Sequence, residues 1–282
     1  MIELPLYYLV AIFVFVFGAI IGSFLNVLIL RFGTGFSASG RSRCFSCNRV
    51  LGVIDLVPIV SFVFLGGKCR TCYSRVSFQY PLVEALTAFI FVLIYISFFG
   101  NSDVLTLLTL LKIFFSCIVA SVLIVITIYD LRHKIIPNPY VYAFIALGVI
   151  ATLYRVWLSF PLGVSIPLIL DILSGPLLFL FFYALWAVSK GKWMGFGDAK
   201  LVLGIGLLLG FWSGFSAVMI GFWIGALFGI ALMLLPKVLP DLRLKGNRIA
   251  VTMHSEIPFA PFLILGMAIA FFFHINVFFI LS

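Results

Sequence analysis

Charged residues are scarce in this sequence: only 10% of its 282 residues are Asp, Glu, Lys or Arg. A soluble domain carries about 25% charged residues and roughly 45–50% apolar ones. Here 64% of the residues are hydrophobic and the mean hydropathy is +1.29. The composition excludes an ordinary soluble domain and predicts a membrane protein.

Two further features are missing. No basic segment precedes the first apolar run, 7–30, and that run is longer than the core of a signal peptide, so we expect it to remain as a spanning helix. No glycine-rich nucleotide-binding motif follows a predicted strand.

Long apolar runs fill most of the chain. A spanning helix needs about 20 mostly apolar residues. The candidate spans are 7–30, 82–99, 104–128, 140–158, 165–188, 199–212, 214–235 and 260–281. The sequence therefore predicts an all-α polytopic membrane bundle of about eight transmembrane helices, with its least certain boundary at 211–214.

Basic residues are confined to alternate loops. All of the 18 lysines and arginines except Lys112 and Arg155 follow the first, third, fifth or seventh span. Basic loops stay in the cytoplasm, so both termini are predicted on the opposite side. This placement explains the net charge of +9 as topogenic charge and attraction to lipid headgroups, and it argues against nucleic-acid binding.

The one long polar stretch, 31–80, carries two CxxC pairs separated by 21 residues: Cys44, Cys47, Cys69 and Cys72. Paired cysteines at this spacing indicate a four-thiolate zinc site that has no open position and is therefore structural. Two disulfides are the alternative, which a reducing cytoplasm disfavours. We predict a small cytoplasmic zinc-binding loop domain.

Only nine residues are acidic, and four of them lie in or at the ends of predicted spans: Glu84, Asp130, Asp171 and Asp198. Asp130 ends the third span and Asp198 begins the sixth, so both are predicted at the cytoplasmic membrane boundary. Two carboxyls that converge there could share one proton and act as base and acid. Helix capping or ion pairing is the alternative for each, and spacing alone does not decide between these roles.

Other polar or small residues are candidates for the same region. Gly195 and Gly197 precede Asp198 and could permit a backbone turn or the close approach of a substrate strand. Asn26 follows Gly18 and Gly22 on one helix face, which favours helix packing over a role in lining an active site.

For the other two acids in predicted spans, the sequence leaves more than one role open. Glu84 could pair with a loop arginine or border the active site, whereas Asp171, in the outer half of its span, favours pairing or packing.

Seven segments, in order, resemble the type IV prepilin peptidase family. They are Gly22-Ser23-Phe24-Leu25-Asn26-Val27, the paired CxxC loop, Gly67-Lys68-Cys69-Arg70, Tyr80-Pro81-Leu82-Val83-Glu84, Asp130 to Pro137, Gly195-Phe196-Gly197-Asp198-Ala199-Lys200-Leu201, and Ile257-Pro258-Phe259-Ala260-Pro261-Phe262-Leu263. Asn138 stands where many members have Asp, and Ala260 replaces a common Gly.

The resemblance implies a multi-pass aspartic peptidase of the bacterial inner membrane. Its catalytic pair would be Asp130 and Asp198, facing the cytoplasm, and it would cut prepilins or pseudopilins after a glycine. Members with the cysteine loop usually methylate the new N-terminus with S-adenosylmethionine. The resemblance thus divides the chain into a methyltransferase-associated region, 1–100, and a peptidase domain of six spans, 101–282. No residue of the methyl-donor site can be named.

Two other classes of function compete with the enzyme. A proton-coupled transporter would use membrane acids, but its usual internal repeat is not evident in the sequence and the acids are predicted at the boundary. A zinc-bearing membrane scaffold without chemistry is the third interpretation.

Overall fold

The chain folds into helices. The computed structural model describes residues 3–35, 40–99, 106–159, 166–238, 258–275 and 277. The α-helices in this part are α1 (Glu3–Arg31), α2 (Val60–Phe64), α3 (Gln79–Phe99), α4 (Leu107–His133), α5 (Asn138–Ser159), α6 (Ile166–Ser189), α7 (Phe196–Leu209), α8 (Phe211–Val238) and α9 (Ala260–Phe273). The predicted all-α class is confirmed.

Every predicted span corresponds to a helix, but the helices differ in length. Six are long and apolar enough to cross a membrane: α1, α3, α4, α5, α6 and α8. Helices α7 and α9 have 14 residues each in the described part of the chain. At 1.5 Å per residue α7 is about 21 Å long, against about 30 Å for the hydrocarbon core. The protein is therefore a multi-pass membrane protein, and the count of eight spans is not confirmed.

The chain divides into two compact units, Met1–Val125 and Ile126–Ser282, with the boundary inside α4. In the first unit α1 packs along α3. A Cβ on Gly22 would lie 2.7 Å from the Cα of Glu84, and one on Gly18 would lie 2.8 Å from the Cα of Ala88. The two helices approach so closely because these positions are glycine, as the spacing predicted.

Helix α7 lies at the centre of the second unit, where it contacts α5, α6, α8 and α9. Its side chains Leu201, Val202 and Ile205 are completely buried. This short helix is thus surrounded by protein rather than by lipid, and it carries Asp198.

Candidate active site and metal centre

Asp130 lies in the last turn of α4 and is only 4% exposed. Its carboxyl interacts with the backbone N–H of Ala260, the first residue of α9. The positive end of a helix dipole therefore faces an acid. Because the backbone of Ala260 makes this contact, the exchange of Gly for Ala at this position leaves the contact intact.

Asp198 lies in the first turn of α7 and is 8% exposed. Gly195 occupies the N-cap position of this helix. Asp198 is the third residue of the helix, and its Oδ2 accepts a hydrogen bond from the Gly195 N–H at 3.2 Å. The carboxyl therefore caps the helix through the backbone of the residue three positions earlier.

The two aspartates are brought together in the second unit. Asp198 interacts electrostatically with Asp130, although 67 intervening residues separate them in the sequence. Asp130 Oδ2 is buried and has no hydrogen-bond partner among the described residues. Buried carboxylate oxygens are normally hydrogen-bonded, so this oxygen is available to a water molecule or to a peptide group.

The two glycines before Asp198 do not form the backbone turn that was one of their two expected roles, whereas the close approach of a substrate strand stays a prediction. Gly195 has φ −75° and ψ 147°, an extended conformation that any residue adopts, and neither Gly195 nor Gly197 has a positive φ. The expected special backbone turn is therefore wrong. Gly197 matters for space instead, because a Cβ there would lie 3.0 Å from the Cβ of Ile136.

The four predicted zinc ligands form one cluster in the first unit. The sulfur atoms of Cys44, Cys47, Cys69 and Cys72 all lie within 4.8 Å of one another. Tetrahedral thiolates at about 2.3 Å from zinc lie roughly 3.8 Å apart. The Sγ atoms of Cys44 and Cys72 are 3.8 Å apart, and the thiols are free. The donor set and its spacing fit a structural zinc ion.

The cysteine cluster is built from two matching turns. The N–H of Cys44 donates to Arg49 O at 3.0 Å, and the N–H of Cys69 donates to Ser74 O at 2.9 Å. The residue after each second cysteine, Asn48 or Tyr73, has φ 54°. The segments Arg-Cys-Phe-Ser-Cys-Asn-Arg-Val and Lys-Cys-Arg-Thr-Cys-Tyr-Ser-Arg-Val show this repeat, which the sequence reasoning missed.

Asp55 connects the two turns. Its side chain is 7% exposed and forms ion pairs with Arg49 at 3.2 Å and Arg70 at 3.1 Å. Arg49 also donates to the hydroxyl of Thr71, beside the second cysteine pair. These polar contacts fix the positions of the two cysteine pairs relative to each other.

The thiol of Cys44 is prepared for a metal. Backbone N–H groups of Cys47 and Ser46, together with the hydroxyl of Ser74, lower its pKa to about 6. Its thiolate therefore predominates at neutral pH, and the thiolate is the form that binds zinc.

Asn26 and Glu84 lie at the neighbouring ends of α1 and α3. Asn26 is fully buried and donates from Nδ2 to Tyr80 O at 3.1 Å, which is the interhelical hydrogen bond that the packing interpretation required. Glu84 is 6% exposed, and its Oε2 accepts from the Ile59 N–H at 2.7 Å. Glu84 thus binds the loop backbone at Ile59. A role of either residue in lining an active site stays a prediction.

Ile59 needs this acceptor. Its φ of 63° is an outlier for a β-branched residue and places it in a sparsely populated region. We expect Glu84→Leu to lower the free energy of unfolding by about 1 kcal/mol, because the half-buried N–H of Ile59 loses its acceptor. Glu84→Gln keeps an acceptor oxygen and should remain near wild type. Thermal unfolding in detergent measures both, and equal losses in the two variants would show that the charge itself is required.

Two family models and several curated relatives match this chain. Residues 16–98 match the model of the bacterial peptidase A24 N-terminal domain, and residues 117–230 match that of the type IV leader peptidase family. A prepilin leader peptidase/N-methyltransferase of Bacillus subtilis (strain 168) is 32% identical over 91% of this chain and 92% of its own length. The chain belongs to the type IV leader peptidase family.

Other relatives carry similar names. A prepilin leader peptidase/N-methyltransferase of Aeromonas salmonicida (strain A449) is 29% identical over 79% of this chain and 81% of its own length. A type 4 prepilin-like proteins leader peptide-processing enzyme of Escherichia coli O78:H11 is 30% identical over 68% of this chain and 74% of its own length. No solved structure matches the chain. Both aspartates lie in the part matched to the leader peptidase family, and the four cysteines lie in the part matched to the N-terminal domain.

Proposed function

We propose that this protein removes the leader peptide from type IV prepilins and pseudopilins, with Asp130 and Asp198 as its catalytic pair. The observation that carries the proposal is the convergence of two buried carboxyls from separate helices, one of which has an oxygen without a described partner. Proximity of two acids favours a state in which they hold one proton between them.

The chemistry follows from that shared proton. The ionised member takes a proton from water, and the resulting nucleophile attacks the scissile carbonyl carbon. The protonated member donates its proton to the carbonyl oxygen, which gives a tetrahedral diol. When the diol collapses, the C–N bond breaks, the carboxyl that took the proton from water gives it to the leaving nitrogen, and the other carboxylate takes back the hydroxyl proton. Asp130 Oδ2 is the better candidate for the water contact, because Asp198 Oδ2 already accepts a hydrogen bond from Gly195. In this proposal the scissile bond follows a glycine at the cytoplasmic membrane boundary.

Asp130 at the end of α4 and Asp198 at the start of α7 support that location. The basic residues near these ends, Arg132, Lys134, Lys190 and Lys192, favour the cytoplasmic face of the bacterial inner membrane. The membrane lipid would also be a partner through these charges.

We further propose N-methylation of the new N-terminal residue with S-adenosylmethionine as methyl donor. Its support is the N-terminal domain match and the names of the relatives. The proposed methyltransferase region is 1–100, which contains the cysteine cluster, and the proposed peptidase region is 101–282. Zinc would hold the loop 31–80 in its folded form.

One experiment tests both activities. The purified protein in detergent is incubated with a prepilin, and the product mass is read with and without S-adenosylmethionine. Loss of the leader mass is expected in both reactions, with a further gain of one methyl group only when the donor is present. An uncut prepilin under both conditions would refute the proposed function.

Topology gives an independent prediction. If α7 and α9 both span the membrane, the stretch 239–257, which lies outside the described residues, is cytoplasmic; if neither spans, it lies on the other face. The basic residues Arg243, Lys245 and Arg248 favour the first arrangement. Alkaline phosphatase, which is active only outside the cytoplasm, should be silent when inserted after Lys245 and active after Ser282. Activity at the first position would exclude the eight-span arrangement.

A further inference from the structure

Arg155 lies in an apolar helix, α5, and with Lys112 it is an exception to the confinement of basic residues to four loops. A charged side chain at membrane depth is costly and normally has a specific partner. Whereas Lys112 is exposed, Arg155 is only partly exposed and faces α7.

The partners of Arg155 are carbonyl groups at the C-terminal end of α7. Its Nη1 donates to Leu208 O at 2.7 Å, and its Nη2 donates to Leu207 O. The hydroxyl of Thr152 also donates to Leu207 O, at 2.7 Å. From α6, the hydroxyl of Ser174 donates to Gly206 O at 2.8 Å.

These donors provide partners for the carbonyl groups at the end of the short helix α7. The last four carbonyls of a helix have no partner within that helix, and lipid supplies none. Helix α7 ends at Leu209, and α8 begins at Phe211 after the single residue Gly210, whose φ is 82°. Asp171 caps the start of α8 by accepting from the Phe211 N–H at 2.9 Å. Arg155 and Asp171 therefore serve two different helix ends.

The opposite end of α7 carries Asp198. A helix of 14 residues moves as one body, so an anchor at its last turn also fixes its first turn. We propose that Arg155 is a positioning residue of the peptidase: by binding the carbonyls of Leu207 and Leu208, it sets the axial position of α7 and thereby places Asp198 against Asp130. This inference rests on the proposed peptidase function.

The test measures activity and geometry in the same variant. A displacement of about 1 Å can cost about 100-fold in rate. We expect Arg155→Gln to lower kcat for prepilin cleavage about 100-fold and to leave KM within about twofold. Arg155→Lys should recover part of kcat, because an ammonium group also donates to carbonyls. Lys112→Gln is the matched control and should retain wild-type kcat.

A distance measurement separates this inference from the proposed function. Spin labels are introduced through noncanonical amino acids at Leu131 and Trp193, both exposed and close to the two aspartates in sequence, so that the native cysteines stay unlabelled. Arg155→Gln should shift or broaden the distance distribution by about 1 Å or more. An unchanged distance would overturn the positioning role, whether or not the wild type cleaves prepilin.

Two variants distinguish positioning by Arg155 from charge neutralisation and from a loss of folding. If Arg155 only neutralises Asp171, the double variant Arg155→Gln with Asp171→Asn should regain wild-type kcat, which would overturn the inference. If Arg155→Gln does not fold, Arg155→Lys decides, because it keeps the positive charge but cannot reproduce the two-pronged contact of the guanidinium with the carbonyls of Leu207 and Leu208. Lower kcat at constant KM then supports the inference, and wild-type kcat contradicts it.

Discussion

Asp198→Asn is expected to abolish prepilin cleavage in a folded protein. The amide oxygen of Asn can still accept from the Gly195 N–H, so the start of α7 stays capped. The variant can no longer share a proton with Asp130 in an acid–base pair. Since general acid–base catalysis contributes about 10²–10⁴-fold for each group, we expect kcat to fall by about 10⁴-fold or below detection. Asp130→Asn should do the same.

Asp171→Asn is the matched control for both variants. Asp171 is also an acid of a membrane helix, and its carboxylate also accepts a backbone N–H at a helix start, that of Phe211. If capping were the whole role of these acids, the three variants should behave alike. We expect Asp171→Asn to cleave at near the wild-type rate. Mass spectrometry of the prepilin product, with circular dichroism as the check of folding, distinguishes the two outcomes. Near-normal cleavage by Asp198→Asn would show that Asp198 only caps the helix.

The second large effect concerns the metal. Purified protein should contain one zinc ion bound by the four clustered cysteines, and Cys69→Ser should lose it. Cys69 is 7% exposed and is the most buried residue of the four ligands. Structural zinc supplies about 10–16 kcal/mol in small zinc-binding peptides. The loop 31–80 has little apolar core of its own, and it should become sensitive to protease when the ion is removed.

Cys117→Ser is the control for this experiment. Cys117 lies in α4, outside the cluster, and should not affect the metal content. Elemental analysis and thiol titration measure the outcome: one zinc and protected thiols in the wild type and in Cys117→Ser, no zinc in Cys69→Ser. Methyl transfer should fall more than cleavage, because the loop belongs to the proposed methyltransferase region. A wild-type protein with no metal and four reactive thiols would refute the zinc site.

In the sequence, Asp130 and Asp198 were candidates for one site because the predicted topology placed both at the same membrane face. The structure brings the two acids together, whereas the membrane face stays a prediction. Once basic residues assign alternate loops to one face, the end of one helix and the start of another fall at the same depth. The cysteine cluster could also be predicted from the sequence, since the spacing of the two CxxC pairs reflects the geometry of a tetrahedral ion.

The short sixth span, 199–212, was predicted from the sequence, but its exact ends were not: α7 runs from Phe196 to Leu209, and the break falls at Gly210. The apolar run continues from 199 to 235 with little change in hydropathy, and hydropathy does not record where a helix ends inside protein. Gly210 was one of 24 glycines, and its importance depends on a positive φ that only the structure shows. Arg155 likewise looked like an exception to the charge pattern, because its carbonyl partners lie 52 and 53 residues away.

The single residue between α7 and α8 has a consequence for how the protein is made. Two spans that are joined by an ordinary loop can leave the insertion machinery one after the other. Helix α7 ends at Leu209 and α8 starts at Phe211, so no flexible connection allows the two helices to be inserted one after the other. We expect the two helices to leave the insertion machinery together, as one hairpin in which α7 packs against protein. The hydrogen-bond donors to the carbonyl groups at the end of α7 come from α5 and α6, which the ribosome has already synthesised by then.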